Sequence, residues 1–173
     1  MTITTLVSKV LSANRLRVLV FGPYPVGPLP DPFFEALRRK RLEIQAALQG
    51  QGHAADFPEN LVDPSLPPPF DNAWLQEQLL MRDYDLIVLL VGSPGANVEL
   101  GAISTNPALC QKSQLFLCVD HKGGAAEEAC RLATTFDARL QEFIYPDDLT
   151  KCHLVAAVDG IVRKLQAAKA LLW

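Results

Sequence analysis

The sequence has little of what would mark a polyanion binder, a metalloprotein or a membrane protein. Its 16 Lys and Arg are outnumbered by 19 Asp and Glu, a formal charge of −3 over 173 residues. That balance gives no electrostatic footprint for nucleic acid, although a small anionic ligand needs only a few local donors. His53, His121 and His153 show no HxxE or HxxxH spacing, and Cys110, Cys118, Cys130 and Cys152 include no CxxC pair. No metal and no cofactor is therefore expected; the histidines read as surface or satisfied core residues and the cysteines as reduced, structural thiols. The longest strongly apolar run, Leu86 to Val91, is far shorter than the roughly 20 residues that span a bilayer. MTITTLVSKVLSANR has neither a basic start before a continuous apolar stretch nor a small-residue cleavage site. A soluble, cytoplasmic protein with no membrane or nucleic-acid partner is the expectation. GPYPVG is not a GxGxxG fingerprint, because its glycines are separated by prolines that lack an N–H. A Rossmann dehydrogenase is not indicated.

What is present is a regular alternation of strand and helix patterns. RVLVF, Arg17 to Phe21, is a β-branched run closed by Gly22 and Pro23, the pattern of a buried strand ending in a loop. The loop GPYPVGPLPDP carries five of the 13 prolines and is irregular. Phe33, Leu37, Ile44 and Leu48 recur at helical spacing, with Arg38 to Arg41 as a charged face and Gly50 and Gly52 as the stop. That charged face is ordinarily solvated, though one of its cations could meet a partner subunit or a substrate phosphate. A weak strand at His53 to Phe57, a Pro-rich connection, and a short helix near Asn72 to Met81 follow. Trp74 and Phe57 read as core residues.

YDLIVLLV, Tyr84 to Val91, is the clearest strand, apolar on both faces after Asp85 as a central parallel strand should be. LFLCV, Leu115 to Val119, repeats it, so the helix expected over Asn97 to Cys110 is a right-handed crossover. Glu127 to Phe136 predicts a further helix, Phe143 to Tyr145 a short edge strand. Leu154, Val158, Ile161, Leu165, Ala168 and Leu172 predict a long C-terminal helix whose stripe could pack on the sheet or on a second copy. The expectation is a single-domain α/β doubly wound sheet, Rossmann-like or flavodoxin-like, of about five parallel strands flanked by helices, with residues 1–15 as an N-terminal extension. Ligands in such sheets bind beyond the carboxyl ends of the strands. The loops after Phe21 and after Val91 are therefore the candidate site.

After Val91 come Gly92, Ser93, Pro94, Gly95, Ala96 and Asn97, with Glu99 expected in the first helical turn. Small residues with free amides at a helix start make a seat for a phosphate, and Ser93 adds a hydroxyl donor. Glu99 taken alone could merely complement the helix dipole, with Asn97 as an ordinary cap. Glu77, in the helix before the same strand, could approach the same crevice, or lie on a solvated face. A carboxylate pair is what glycosidic chemistry needs: one stabilises or captures an oxocarbenium-like centre while the other protonates the leaving group or activates water.

SPGANVELG after an apolar strand resembles the signature of the nucleoside 2-deoxyribosyltransferase superfamily, and most closely its nucleotide-hydrolysing branches, the 5′-monophosphate N-glycosidases and hydroxymethyl-CMP hydrolases. Ser93, Gly95 and Glu99 reproduce the spacing of that signature. Glu77 stands eight residues before Asp85, where the family usually has Asp, and Gly22, Pro23 and Tyr24 are similar to its strand-then-Gly-Pro start. The resemblance runs from about Arg17 to the final helix, is sharp only over Ser93 to Gly101, and leaves Ser104 to Leu109 as an insertion. It implies a nucleophilic Glu99, an assisting Glu77, substrate contacts from Gly22, Tyr24, Ser93, Gly95 and Asn97, a small nucleoside or nucleotide as partner, and a homodimer. The expected activity is hydrolysis of a nucleoside 5′-monophosphate to free base and sugar phosphate. Deoxyribosyl transfer, NAD cleavage by an effector, and a non-catalytic nucleotide sensor are the alternatives.

Overall fold

RVLVF forms strand β1, Arg17–Phe21, fully buried after its first residue. The computed structural model describes residues 14–27, 29 and 31–171, together with Ile3 and Thr5. The expected N-terminal extension, 1–15, lies almost entirely outside the described residues. Helix α1, Pro32–Gly50, starts where Asp31 caps the amide of Phe33, and leads to the short strand β2, Ala54–Asp56. A single 3-10 turn, Pro58–Asn60, and the Pro-rich connection precede α2, Ala73–Asp83, capped by Asn72. Strand β3, Leu86–Leu90, is buried along its whole length.

Helix α3, Pro94–Ser104, follows β3, and a separate four-residue helix, α4, occupies Pro107–Cys110. The expected continuous helix from Asn97 to Cys110 is thus two helices. Asn106 caps Ala108, and Pro107 stands at the first helical position, where a missing N–H costs nothing. Strand β4, Ser113–Cys118, a 3-10 turn at Val119–His121 and helix α5, Ala125–Thr134, complete the next unit. Strand β5 is Arg139–Phe143, not the apolar trio Phe143 to Tyr145; Ile144 is 55% exposed. The short helix α6, Asp147–Thr150, and the long α7, His153–Leu171, end the described chain. Among the described residues no helix is long and apolar enough to cross a membrane.

The five strands form one parallel sheet in the order β2-β1-β3-β4-β5, a doubly wound α/β fold. One apolar layer joins α1 and α7 to one sheet face through Leu37, Ile44, Val158 and Val162. The other packs α2, α3 and α5 on the opposite face through Met81, Leu100, Ile103 and Cys130. Leu154, Val158, Ile161 and Leu165 of the α7 stripe therefore pack within the chain, whereas Ala168 is exposed; the expected last member, Leu172, is outside the described residues. Cys110, Cys118 and Cys130 are buried free thiols, whereas Cys152 is exposed. His53 is buried, its Nδ1 accepting from the amide of Leu16 at 3.3 Å. Trp74, expected in the core, is 51% exposed.

Tight packing of α1 against the β3 loop fixes one residue. Gly92 has φ +149°, and a Cβ there would lie 3.1 Å from Phe33 Cε1 and 3.2 Å from Leu37 Cδ1. Gly92→Ala is expected to cost about 1–3 kcal/mol from backbone strain and contact. Gly160, mid-helix in α7 with open space around its Cα, carries the opposite expectation: Gly160→Ala gains about 0.5–1 kcal/mol. Thermal unfolding of the two variants checks both signs; equal shifts would contradict the packing described.

Candidate active site

β1 and β3 are neighbours, with Val20 opposite Val88 and Phe21 opposite Leu89, but the chain leaves them toward opposite sheet faces, into α1 and α3. The crevice between those exits is the place where a doubly wound sheet binds ligands. A cavity of about 590 Å³ opens there. Gly22, Tyr24, Glu77, Ser93, Gly95 and Glu99 all line it, joined by Phe21, Pro23, Leu29, Phe34, Arg41, Pro58, Glu59 and Pro94. Asn97 does not: it lines a separate, shallower concavity with Asp120, His121 and Lys122, beyond the end of β4. Nor does Asn97 cap the helix. Ser93 is the N-cap, its Oγ accepting from the amide of Ala96 at 3.3 Å. The hydroxyl hydrogen of Ser93 remains a donor.

Because α3 begins at Pro94, Glu99 lies in its second turn rather than its first. It sits three residues after Ala96 and four before Ile103, on the edge of the stripe that packs against the sheet. Only 8% of Glu99 is exposed, and its Oε2 is buried with no protein hydrogen-bond partner. Burial pushes the Glu99 carboxyl up to about 7, and the nearby charge and hydrogen-bonding contact of Glu77, then the charge of Glu59, push in the same direction. Glu77 is also raised, first by burial and next by Glu59, while Arg41 and the contact with Glu99 oppose the rise. Each of the two carboxyls shifts the other's titration, so they titrate as a pair and the proton they retain belongs to both. Among the described residues, no group of three potential ligands is placed to hold a metal ion.

Arg41 and Glu59 are the charged lining residues that the sequence reading did not name as site residues, Arg41 entering it only as one of the cations Arg38 to Arg41. Expected on a solvated helix face, the Arg41 side chain is 1% exposed and Lys40 is buried too. The Arg41 guanidinium donates to both carboxylate oxygens of Glu59, at 2.6 and 2.7 Å, and to the carbonyls of Val20, Gly22 and Pro23. It also lies 4.2 Å above the ring of Phe57. A signal existed: Phe33, Leu37, Ile44 and Leu48 leave a gap in the buried stripe of α1 at the position Arg41 fills. For Glu59 no comparable periodicity exists in the loop.

The raised carboxyl makes a stability prediction. With its folded value near 7 and an ordinary value near 4.5, Glu99 binds more protons in the folded than in the unfolded chain between those limits. Stability therefore falls as pH rises through that window. Glu99→Gln removes the penalty, so its advantage over the natural chain should be about 2 kcal/mol larger at pH 8 than at pH 5, roughly 4–8 °C in Tm. Melting curves at the two pH values measure it; a pH-independent difference would contradict the burial argument.

No protein-family model matches the sequence, and no curated protein sequence matches it. Among solved structures, the CMP N-glycosidase BcmB of Clostridium botulinum is similar: 18% sequence identity, TM-score 0.50, covering 83% of this chain and 97% of that one. At this identity the likeness is one of fold, and it agrees with the doubly wound parallel sheet.

Proposed function

We propose that the chain cleaves the N-glycosidic bond of a nucleoside 5′-monophosphate, releasing the free base and a sugar phosphate. The observation that carries the reading is the carboxyl pair of half-buried Glu77 and buried Glu99 in a cavity that also presents Ser93 and Gly95 at a helix start. A neighbour in fold that acts as a CMP N-glycosidase supports it. The Ser93 hydroxyl and the amide of Gly95 seat the phosphate in this reading: Pro94 has no N–H, the amides of Ala96 and Asn97 donate to Ser93, and the helix dipole favours an anion beside Gly95. Tyr24 and Phe34 supply cavity wall for the sugar and base.

In the first step the proton of the pair passes to Glu77 as substrate binds, the Glu99 carboxylate so formed attacks C1′, the C1′–N bond breaks, and Glu77 delivers that proton to the departing base. Water then attacks C1′ of the glycosyl-enzyme, its proton returns to Glu77, and Glu99 is released. Inverting enzymes hold their carboxyls about 6.5–9.5 Å apart to admit a water. Glu77 and Glu99 line one cavity and each shifts the other's titration, a proximity that favours covalent capture in this reading. The covalent intermediate also leaves deoxyribosyl transfer open, because a second base could take the place of water. A second copy of the chain closing the pocket belongs to this proposal.

The test is chromatography after incubation with a panel of nucleosides, 5′-monophosphates and NAD, with and without a second free base. Free base from monophosphates is expected, abolished in Glu99→Ala and reduced about 10²–10⁴-fold in Glu77→Ala. A new nucleoside in the presence of the second base selects transfer, and nicotinamide from NAD selects NAD cleavage. Thermal stabilisation by nucleotides without any base release would leave a binding module and overturn the hydrolytic reading.

A further inference from the structure

The cavity contains three carboxylates, Glu59, Glu77 and Glu99, and a single cation among its described lining residues, Arg41. An arginine in a pocket expected to receive a phosphate invites the role of phosphate ligand. Its geometry argues otherwise. Nε donates to Val20 O at 3.1 Å, Nη2 to Val20 O at 2.8 Å and Glu59 Oε2 at 2.7 Å, and Nη1 to Pro23 O at 2.9 Å and Glu59 Oε1 at 2.6 Å, with Gly22 O at 3.3 Å. Every donor of a guanidinium is thus occupied by the chain itself. A phosphate reaching Arg41 would have to displace Glu59 or the backbone of the β1 loop, and would do so beside two more carboxyls.

We propose that Arg41 and Glu59 are a positioning pair for the reaction proposed above, and that Arg41 is not a substrate ligand. Three consequences follow from its contacts. By holding the carbonyls of Val20, Gly22 and Pro23, Arg41 fixes the exit of β1 and with it the wall that carries Tyr24. A Cβ on Gly22 would lie 3.2 Å from Arg41 Cδ and 3.3 Å from Leu90 Cβ, so guanidinium stem, loop and β3 are already in contact. By binding Glu59 at both oxygens, Arg41 keeps that carboxylate in the wall beside Glu77 and Glu99. The titratable or charged groups lining the cavity are Tyr24, Arg41, Glu59, Glu77 and Glu99; Glu59 opposes ionisation of both members of the pair, and Arg41 favours ionisation of Glu77. The pair Arg41–Glu59 is neutral as a unit, which leaves the proton shared by Glu77 and Glu99 as the variable charge.

This inference rests on the proposed glycosidic reaction for its kinetic arm only; its titration arm stands without turnover. Arg41→Lys, Glu59→Gln and the double variant Arg41→Met with Glu59→Gln are compared with the natural chain. The double variant removes both charges together, so it avoids stranding Glu59 unpaired, and melting curves identify which variants fold. Lys lacks the planar fork needed to hold two carboxylate oxygens and three carbonyls. Arg41→Lys should therefore lower kcat/KM by about tenfold or more, by the same factor for a nucleoside and for its 5′-monophosphate. Carboxyl carbon NMR should show the Glu77–Glu99 titration displaced toward acid in Glu59→Gln by about half a pH unit or more, and by less, in the same direction, in the folded double variant, because Glu59 acts on both carboxyls and Arg41 on Glu77 alone. A loss confined to the phosphorylated substrate would make Arg41 a phosphate ligand and overturn the proposal. Titrations unmoved in folded Glu59→Gln and in the double variant would reduce the pair to a structural contact and equally overturn it. Absence of base release by the natural chain, with the titrations displaced as expected, would refute the reaction and leave the positioning role.

Discussion

Everything in the site depends on one topological constraint: β1 and β3 lie side by side, but the chain leaves them toward opposite faces of the sheet. Parallel strands end together, so two loops emerge at the same edge with no helix filling the space between them. α1 carries Arg41 down one side of that space and α3 carries Glu99 down the other. α2, arriving from β2, places Glu77 over it. Sheet order alone therefore brings together residues separated by 22 positions, Glu77 and Glu99, and by 36, Arg41 and Glu77.

Such a crevice is poorly solvated, and that determines its electrostatics. A buried carboxylate with no partner is costly and responds by keeping its proton. Glu99 does this, with Oε2 unpartnered and the group pushed up to about 7. The nearest cation does not relieve the cost, because Arg41 is bound to Glu59 and to three carbonyls. A cavity containing a committed arginine and an uncommitted carboxyl pair is a poor arrangement for stability and a usable one for moving a proton at neutral pH. Local interactions that oppose folding are expected where function requires them.

Much of the fold could be read in the sequence because its central strands are simple. RVLVF ends where Gly22 and Pro23 end it, and LIVLL has no polar residue to blur its burial. Three helices and one 3-10 turn begin with proline at the first position, Pro32, Pro94, Pro107 and Pro58, so residues that read as loop markers also mark helix starts. β5 was obscured because an edge strand, RLQEF, buries only its last residue, and apolarity pointed instead to the exposed Ile144. In the site, Ser93, Gly95 and Glu99 were visible as a spaced group on one segment, and Glu77 as a second acid at a fixed distance from Asp85. Arg41 was not, because RRKR has the composition of a solvated face; only the missing step between Leu37 and Ile44 betrays that two of its cations, Lys40 and Arg41, are buried.

The spacing of the α3 segment has a geometric reason beyond its likeness to a signature. Gly95 and Glu99 are four residues apart, so they share a helix face about one turn, or roughly 5.4 Å, from each other along the axis. Both line the cavity. Gly95 has no positive φ, and a Cβ there would meet no protein atom within 4 Å. Neither backbone conformation nor packing within the chain demands glycine at that position. In the first turn of a helix its absence of a side chain is useful to something approaching from the cavity, where a bare amide next to the Ser93 hydroxyl is open to an anion. A carboxyl one turn further along the same face then stands at a set distance from that anion. The proposed substrate, with a phosphate at one end and a bond to be cleaved a few ångströms away, would make use of that spacing.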